Sequence, residues 1–218
     1  MDFAAQRRTM VENQLRTYDV TAPDVLAAFE SVPREAFLPV MLHPLAYADR
    51  PVALPGRPGR VMLAPMVLAR MIQAAALKPG ESVLDIGCGT GYSTAILAAI
   101  AGKASGIDID PSLISAAKQA AALAGAAGAG FNSGVLEAGQ PGNAPYGLIF
   151  LNGASAVEPE ALLKQLGEGG RLIMISGEGR QGRAVIYRKT GGNISKRGLF
   201  DAAGPLLDGF AAKPEFVF

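Results

Sequence analysis

Apolar positions along this chain fall into two rhythms. Residues 83–86 and 104–107 are short apolar blocks, one holding Asp85 and the other ending at Asp108, as expected of parallel strands buried on both faces. Between them three glycines stand at alternate positions, Gly87, Gly89 and Gly91, and a helical run follows over 93–100. Further strands are expected at 131–135, 146–151, 171–176 and 184–188, with a last edge strand at 216–218. Pro111 suits the first turn of a helix over 112–123, the Ala/Gly tract 120–130 reads as its end plus a loop, 158–166 reads as helix, and Gly169-Gly170 as a turn.

Ahead of this strand-and-helix alternation, Phe3, Met10, Val11 and Leu15 recur at helical spacing over 3–17. A second helix is expected from Thr21 as N-cap, with Pro23 in its first turn, to Ser31, and 32–37 as a turn into a short helical piece. Residues 39–59 are crowded with proline and glycine and predict a loop without regular elements, carrying Arg50 and Arg57, with Arg60 just beyond. Beside a ligand cleft, those three arginines could bind an anionic substrate. A helix over 65–77 leads through Lys78-Pro79-Gly80 into the glycine turn. The organisation expected is an N-terminal helical and loop segment, 1–60, covering the site of an α/β domain, 61–218, with a mostly parallel twisted sheet and helices on both faces.

Composition narrows the class. Half of the 218 residues are hydrophobic, enough for a sizeable core, and the net charge of +1 argues against a nucleic-acid partner held by bulk electrostatics. One cysteine excludes an internal disulfide and argues against a metal cluster, so no metal is expected. No N-terminal apolar leader and no run of 18 apolar residues is found, so no membrane partner is expected and the cytoplasm is the default location. No oligomeric state follows from composition.

The glycine stretch carries the chemistry. In Val83-Leu84-Asp85-Ile86-Gly87-Cys88-Gly89-Thr90-Gly91-Tyr92, Gly87 permits the tight turn, Gly89 lets backbone N–H groups approach a ligand, and Gly91 opens the helix. Asp85 places a carboxylate at a strand end, and Asp108 places a second where it could accept hydrogen bonds from both hydroxyls of a ribose. A dinucleotide site would read G-x-G-x-x-G; here the third glycine comes one residue early and an acid precedes the first. This pattern resembles that of S-adenosylmethionine (SAM) methyltransferases. The cofactor-binding candidates are Asp85, Gly87, Cys88, Gly89, Gly91, Tyr92, Asp108 and Ile109. His43, the one histidine, reads as a loop residue, Cys88 as a small residue chosen for space, and Tyr187 with Lys189 lacks the Y-x-x-x-K spacing of a short-chain reductase.

Over nearly its whole length the chain resembles the protein-L-isoaspartate O-methyltransferase family. The segment Val32-Pro33-Arg34-Glu35-Ala36-Phe37 is similar to its V-P-R-E-x-F, the Pro65 helix to its x-P-x-x-V-A-x-M, and Gly87 through Leu97 to its G-x-G-x-G-Y-x-T-A-x-L. Leu166 to Leu172 resembles its L-x-x-G-G-x-L, and Pro205-Leu206 its C-terminal V-P-L. The resemblance implies a Rossmann-like fold, SAM as cofactor, and methylation of isoaspartyl carboxyl groups in damaged proteins. It also marks departures. Where the family has T-I-S-x-P this chain has Val61-Met62-Leu63-Ala64-Pro65, and where it has G-D-G after the third strand this chain has Gly134-Val135-Leu136-Glu137. Gly147 stands where the family opens its fourth strand with an acid. No catalytic residue is assigned; Arg60, Met62 and Leu63 are the candidates to face substrate, expected to be a protein or peptide, or else a small molecule. The alternatives are a SAM methyltransferase of the same fold with a different acceptor, or a SAM-binding protein without isoaspartyl activity.

Overall fold

In the computed structural model, which describes residues 1–54, 58–177 and 181–212, a two-stranded hairpin, β1 (Val52–Ala53) with β2 (Val61–Met62), precedes a seven-stranded sheet. The sheet comprises β3 (Val83–Ile86), β4 (Ala104–Asp108), β5 (Ala129–Ser133), β6 (Tyr146–Ser155), β7 (Leu166–Ser176), β8 (Arg183–Thr190) and β9 (Asn193–Asp201). Its spatial order is β5-β4-β3-β6-β7-β8-β9, parallel as far as β7 and antiparallel beyond. The order reverses at β3, with β4 on one side and β6 on the other. Open α/β sheets bind ligands in the crevice outside the strand ends at such a point.

The two-residue period of the strands divides their side chains between two cores. Leu148 and Phe150 of β6, Ile173 and Ile175 of β7 and Ile186 of β8 face a layer built from α1 (Phe3–Met10), α2 (Pro23–Ser31), α3 (Pro65–Ala75), α4 (Tyr92–Ala101) and α5 (Pro111–Leu123). Their neighbours Ile149, Leu151, Leu172, Met174 and Val185 face the other way, onto one-turn α6 (Glu160–Leu163) and the C-terminal residues Leu207 and Phe210. The second face is thus covered mainly by irregular chain. Among the described residues no helix is long and apolar enough to cross a membrane.

Several expectations change. The helix over 3–17 holds, capped by Asp2, which accepts from the Ala5 N–H at 2.9 Å, but it widens into a π turn over Val11–Leu15 and ends in a 3-10 turn. Thr21 is not the cap of α2; Ala22 is, because the N–H groups of both residues donate to Gln73 Oε1 on α3 (2.7 and 2.9 Å). The 39–59 stretch is not free of regular structure, since it holds a 3-10 turn, Val40–Leu45, and strand β1. Among its described residues, Pro39, Pro44, Pro51, Pro58 and Gly59 fall outside the hairpin pairing, which continues where the Leu54 N–H donates to the Arg60 carbonyl at 2.9 Å. The strand expected at 131–135 starts at Ala129 and ends at Ser133, where its partner β4 ends. The helix over 158–166 shrinks to α6 because Leu166 already pairs with Tyr146 in the sheet. Gly169 and Gly170 lie within β7, opposite a register shift, and form no turn that ends a strand. Strand β9 was not anticipated; the expected edge strand at 216–218 lies outside the described residues.

Arg171 of β7 joins three elements below the sheet. Its guanidinium pairs both oxygens of Glu81 (2.6 and 2.7 Å) and donates to the carbonyls of Gly147 (2.9 Å), Ala75 and Ala76, closing the C-terminus of α3. This hydrogen bonding holds the Glu81 carboxyl below its usual value. Arg171→Ala is expected to cost about 2–3 kcal/mol, because it strands the buried Ala75 carbonyl and leaves the half-buried Glu81 charge unpaired. A group with a depressed folded pKa stabilises above its unfolded value and loses that contribution as pH falls through the folded one. The melting-temperature advantage of wild type over Glu81→Gln is therefore expected at pH 7 and should vanish in acid below the usual carboxylate range; an advantage that persists there contradicts this role.

Candidate cofactor cleft

The site starts with a backbone constraint. Gly87, Gly89 and Gly91 all have positive φ (75°, 56° and 95°), a region that L side chains rarely adopt. Gly91 has a second reason, since a Cβ there would lie 2.7 Å from the Phe131 ring. The N–H groups of Gly87 and Cys88 donate to the Ile107 carbonyl (2.9 and 3.0 Å), binding the turn to the end of β4. Asp85 and Asp108 are thereby set at the C-terminal ends of adjacent parallel strands, both fully buried.

Each carboxylate has its own partners. Asp85 Oδ2 accepts from Ser93 Oγ and Thr94 Oγ1, both at 2.6 Å, from the first turn of α4. Asp108 Oδ2 accepts from the Gly89 N–H at 2.8 Å and from Arg60, and its Oδ1 from the Asp110 N–H at 3.3 Å. Burial pushes the Asp85 carboxyl up to about 6, against the lowering effect of its two hydroxyl donors. Asn152 of β6 donates to Ser93 Oγ at 2.7 Å. Four buried polar atoms of the cleft have no partner among the described residues: Asp85 Oδ1, Asn152 Oδ1, Thr90 Oγ1 and Arg60 Nη1.

Of the residues singled out from sequence, Asp85, the three glycines, Cys88 and Asp108 form one continuous floor. Ile109 follows at its edge, 38% exposed. Cys88 is buried and its thiol is pushed well up by burial and the two nearby carboxylates, which makes it no nucleophile. Met62 and Leu63 line the cleft with Leu54, Thr90, Ser93 and Asn152. Of the three arginines, Arg50 is exposed and Arg60 is turned onto Asp108, while Arg57 lies outside the described residues. Arg60 thus faces the floor, contrary to its expected place towards substrate, because the buried carboxylate is the partner within its reach. The lone histidine, His43, stacks edge-on to Phe3 and lies within 3.1 Å of the Leu38 carbonyl, in the N-terminal segment.

Tyr92 links this floor to the N-terminal helices. Its ring meets Phe29 and Phe37 edge-on (centroids 6.1 and 5.7 Å) and lies 4.8 Å under the Arg34 guanidinium, while burial pushes its hydroxyl up to about 12. Arg34, itself fully buried, donates to the carbonyls of Ala46 (2.8 Å) and Leu63 (2.7 Å), and burial lowers its pKa. Sequence reasoning missed Arg34, Ser93, Thr94 and Asn152 as site residues. Asn152 lay one residue past the expected end of its strand, yet the strand beside the order reversal is where a site residue belongs.

A mostly parallel sheet with this turn, acids ending two adjacent strands and no pyrophosphate fingerprint defines a Rossmann-like, SAM-dependent methyltransferase. Comparison with known proteins bears on the family. Residues 5–202 match the family described as protein-L-isoaspartate(D-aspartate) O-methyltransferase. The chain is 40% identical over 184 residues to protein-L-isoaspartate O-methyltransferase 1 of Rhodopseudomonas palustris, covering 84% of this chain and 74% of that one. It is 33% identical over 199 residues to the Koribacter versatilis protein-L-isoaspartate O-methyltransferase (91% and 89%). A Plasmodium falciparum structure described as a protein-L-isoaspartate O-methyltransferase in complex with S-adenosyl-L-homocysteine (SAH) superposes with a TM-score of 0.82, covering 93% of this chain and 98% of that one; at 21% identity it speaks for the fold. The chain belongs to the protein-L-isoaspartate O-methyltransferase family, and its cofactor is SAM.

The polar groups of the cleft fit that cofactor, since Asp85 Oδ1 and Asn152 Oδ1 are buried acceptors without a partner among the described residues, and Asn152 lines the pocket beside Gly89 and Thr90. An acid whose folded pKa is raised destabilises the fold above its unfolded value. For Asp85, moved from 3.8 to about 6, stability is lost as pH rises through that window. Asp85→Asn is therefore expected to raise stability at pH 8 by roughly 2–3 kcal/mol and to leave it unchanged below pH about 4. Denaturant titrations at the two pH values check this; a variant less stable than wild type at pH 8 contradicts it.

Proposed function

We propose that the protein methylates the carboxylate of isoaspartyl residues in damaged proteins or peptides, with Asp85, Asn152, the glycine turn and Asp108 holding the cofactor. The observation that carries this reading is the family match over nearly the whole chain together with intact acids and glycines at the cleft. SAM supplies a methyl group already activated on a sulfonium. The residues present have to bind, orient and keep water out. Asp108 would accept from the ribose hydroxyls. The free oxygens of Asp85 and Asn152 would accept from the amino group of the amino acid moiety, with Ser93 and Thr94 fixing the Asp85 carboxylate. An isoaspartyl carboxylate, with a pKa of about 4, is ionised at neutral pH and needs no general base. That suits a cleft whose one thiol is kept protonated and which contains no histidine among its described lining residues.

A second reading, the same chemistry on a different acceptor, is favoured by the wall beside the turn. Met62 and Leu63 are buried there and offer no hydroxyl. A substrate oxygen left unpaired costs about 1–3 kcal/mol, roughly ten- to a hundredfold in rate.

Transfer from labelled SAM to an isoaspartyl peptide, against the matching aspartyl peptide, decides between them. The first reading expects a base-labile methyl ester on the isoaspartyl peptide only; bound SAH with no transfer to either peptide discards it for the second. Leu63→Ser is expected to raise kcat/KM on the isoaspartyl peptide by about tenfold. An unchanged or lower value in a folded variant removes the leucine from the explanation.

A further inference from the structure

We infer that Arg60 is an intramolecular competitor for the cofactor's ribose position, a gate that has to leave Asp108 before SAM can settle there. The inference rests on the reading of the cleft above and adds a control on the same site.

Asp108 is the carboxylate assigned above to the ribose hydroxyls, and it is already engaged. Its oxygens take the Gly89 N–H, the Asp110 N–H and the Arg60 guanidinium, leaving little of a carboxylate's roughly four acceptor positions. The rest of the guanidinium lies over the turn: a Cβ on Gly87 would meet Arg60 Nη1 at 3.4 Å. That nitrogen is buried without a partner among the described residues, in a residue only 5% exposed. Arg60 therefore occupies the approach to the glycines with Nη1 unbonded among the described residues, and release into water would supply that nitrogen with a partner.

Two leucines complete the obstruction. A Cβ on Gly89 would lie 2.9 Å from Leu54 Cδ1, and one on Gly87 3.0 Å from Leu207 Cδ1. Leu54 and Arg60 belong to one hairpin, joined by the Leu54 N–H to Arg60 carbonyl bond of 2.9 Å, so the charged and the apolar obstacle are carried together. The free volume left beside the turn is about 10 Å³, room for one water at most. The cofactor also carries a sulfonium cation, so a guanidinium staying in the cleft would oppose it, and one that leaves would not.

Affinity for the cofactor is then lowered by the fraction of molecules in which Arg60 has swung away. Calorimetric titration with SAH, alongside thermal melting, tests this on wild type, Arg60→Gln and Leu54→Ala. Arg60→Gln is expected to bind SAH at least about tenfold more tightly, a difference of 1.4 kcal/mol, while melting lower without ligand. Leu54→Ala is expected to bind more tightly than wild type as well, and it decides the matter if Arg60→Gln does not fold. SAH affinities equal to or weaker than wild type overturn the gate alone. No SAH binding by any of the three proteins overturns the cofactor assignment of the cleft, and the gate with it.

Discussion

Two carboxylates with no exposed surface stand side by side at the ends of adjacent parallel strands, and much of the molecule is arranged to keep them there. A buried carboxylate without partners is costly, so each must be met by donors. For Asp85 these are the hydroxyls of Ser93 and Thr94, which fixes where α4 begins. For Asp108 they are a backbone N–H of the turn and Arg60, which fixes where the β1–β2 hairpin lies. The positive φ values of the three glycines let the chain pass between the acids in so few residues. A group met by hydroxyls and backbone N–H groups is also one that polar atoms of a ligand can reach, so the same arrangement serves folding and binding.

From this floor the contacts run outward through Tyr92. Its ring, seated against Phe29 and Phe37, brings the N-terminal helices onto the first turn of α4. Arg34 lies over that ring and holds the carbonyl of Leu63, so the hydroxyl-free wall of Met62 and Leu63 is pinned from the N-terminal segment. That wall and the glycine turn thus share a neighbour. Two of the residues that depart from the family pattern, Val61 and Leu63, line the pocket beside the glycine turn with Gly89 and Thr90, whereas the departures at 134–137 and at Gly147 lie elsewhere in the chain.

The strand, glycine turn, helix and second acid were legible because each is dictated locally: apolar blocks for buried strands, glycine for positive φ, an acid at each strand end. Strand β9 was not, because Asn193–Asp201 is largely exposed and polar and owes its conformation to pairing with β8. The hairpin within 39–59 was hidden for a similar reason, two residues of pairing set among prolines and glycines. Helix α6 was overestimated because apolar spacing over 158–166 cannot distinguish a helix from one turn followed by a sheet strand. In the site, the acids and glycines were readable from spacing. The direction of Arg60 was not, since it follows from a carboxylate 48 residues away in the chain.

On the proposed reading, a nucleoside and the chain's own arginine exclude each other at Asp108, and a crystal structure of the protein with SAH would decide it. Expected there are ribose hydroxyls on Asp108, the amino group at the Asp85 and Asn152 oxygens, and Arg60 withdrawn from the cleft. SAH bound with the Arg60–Asp108 pair still intact rules the exclusion out.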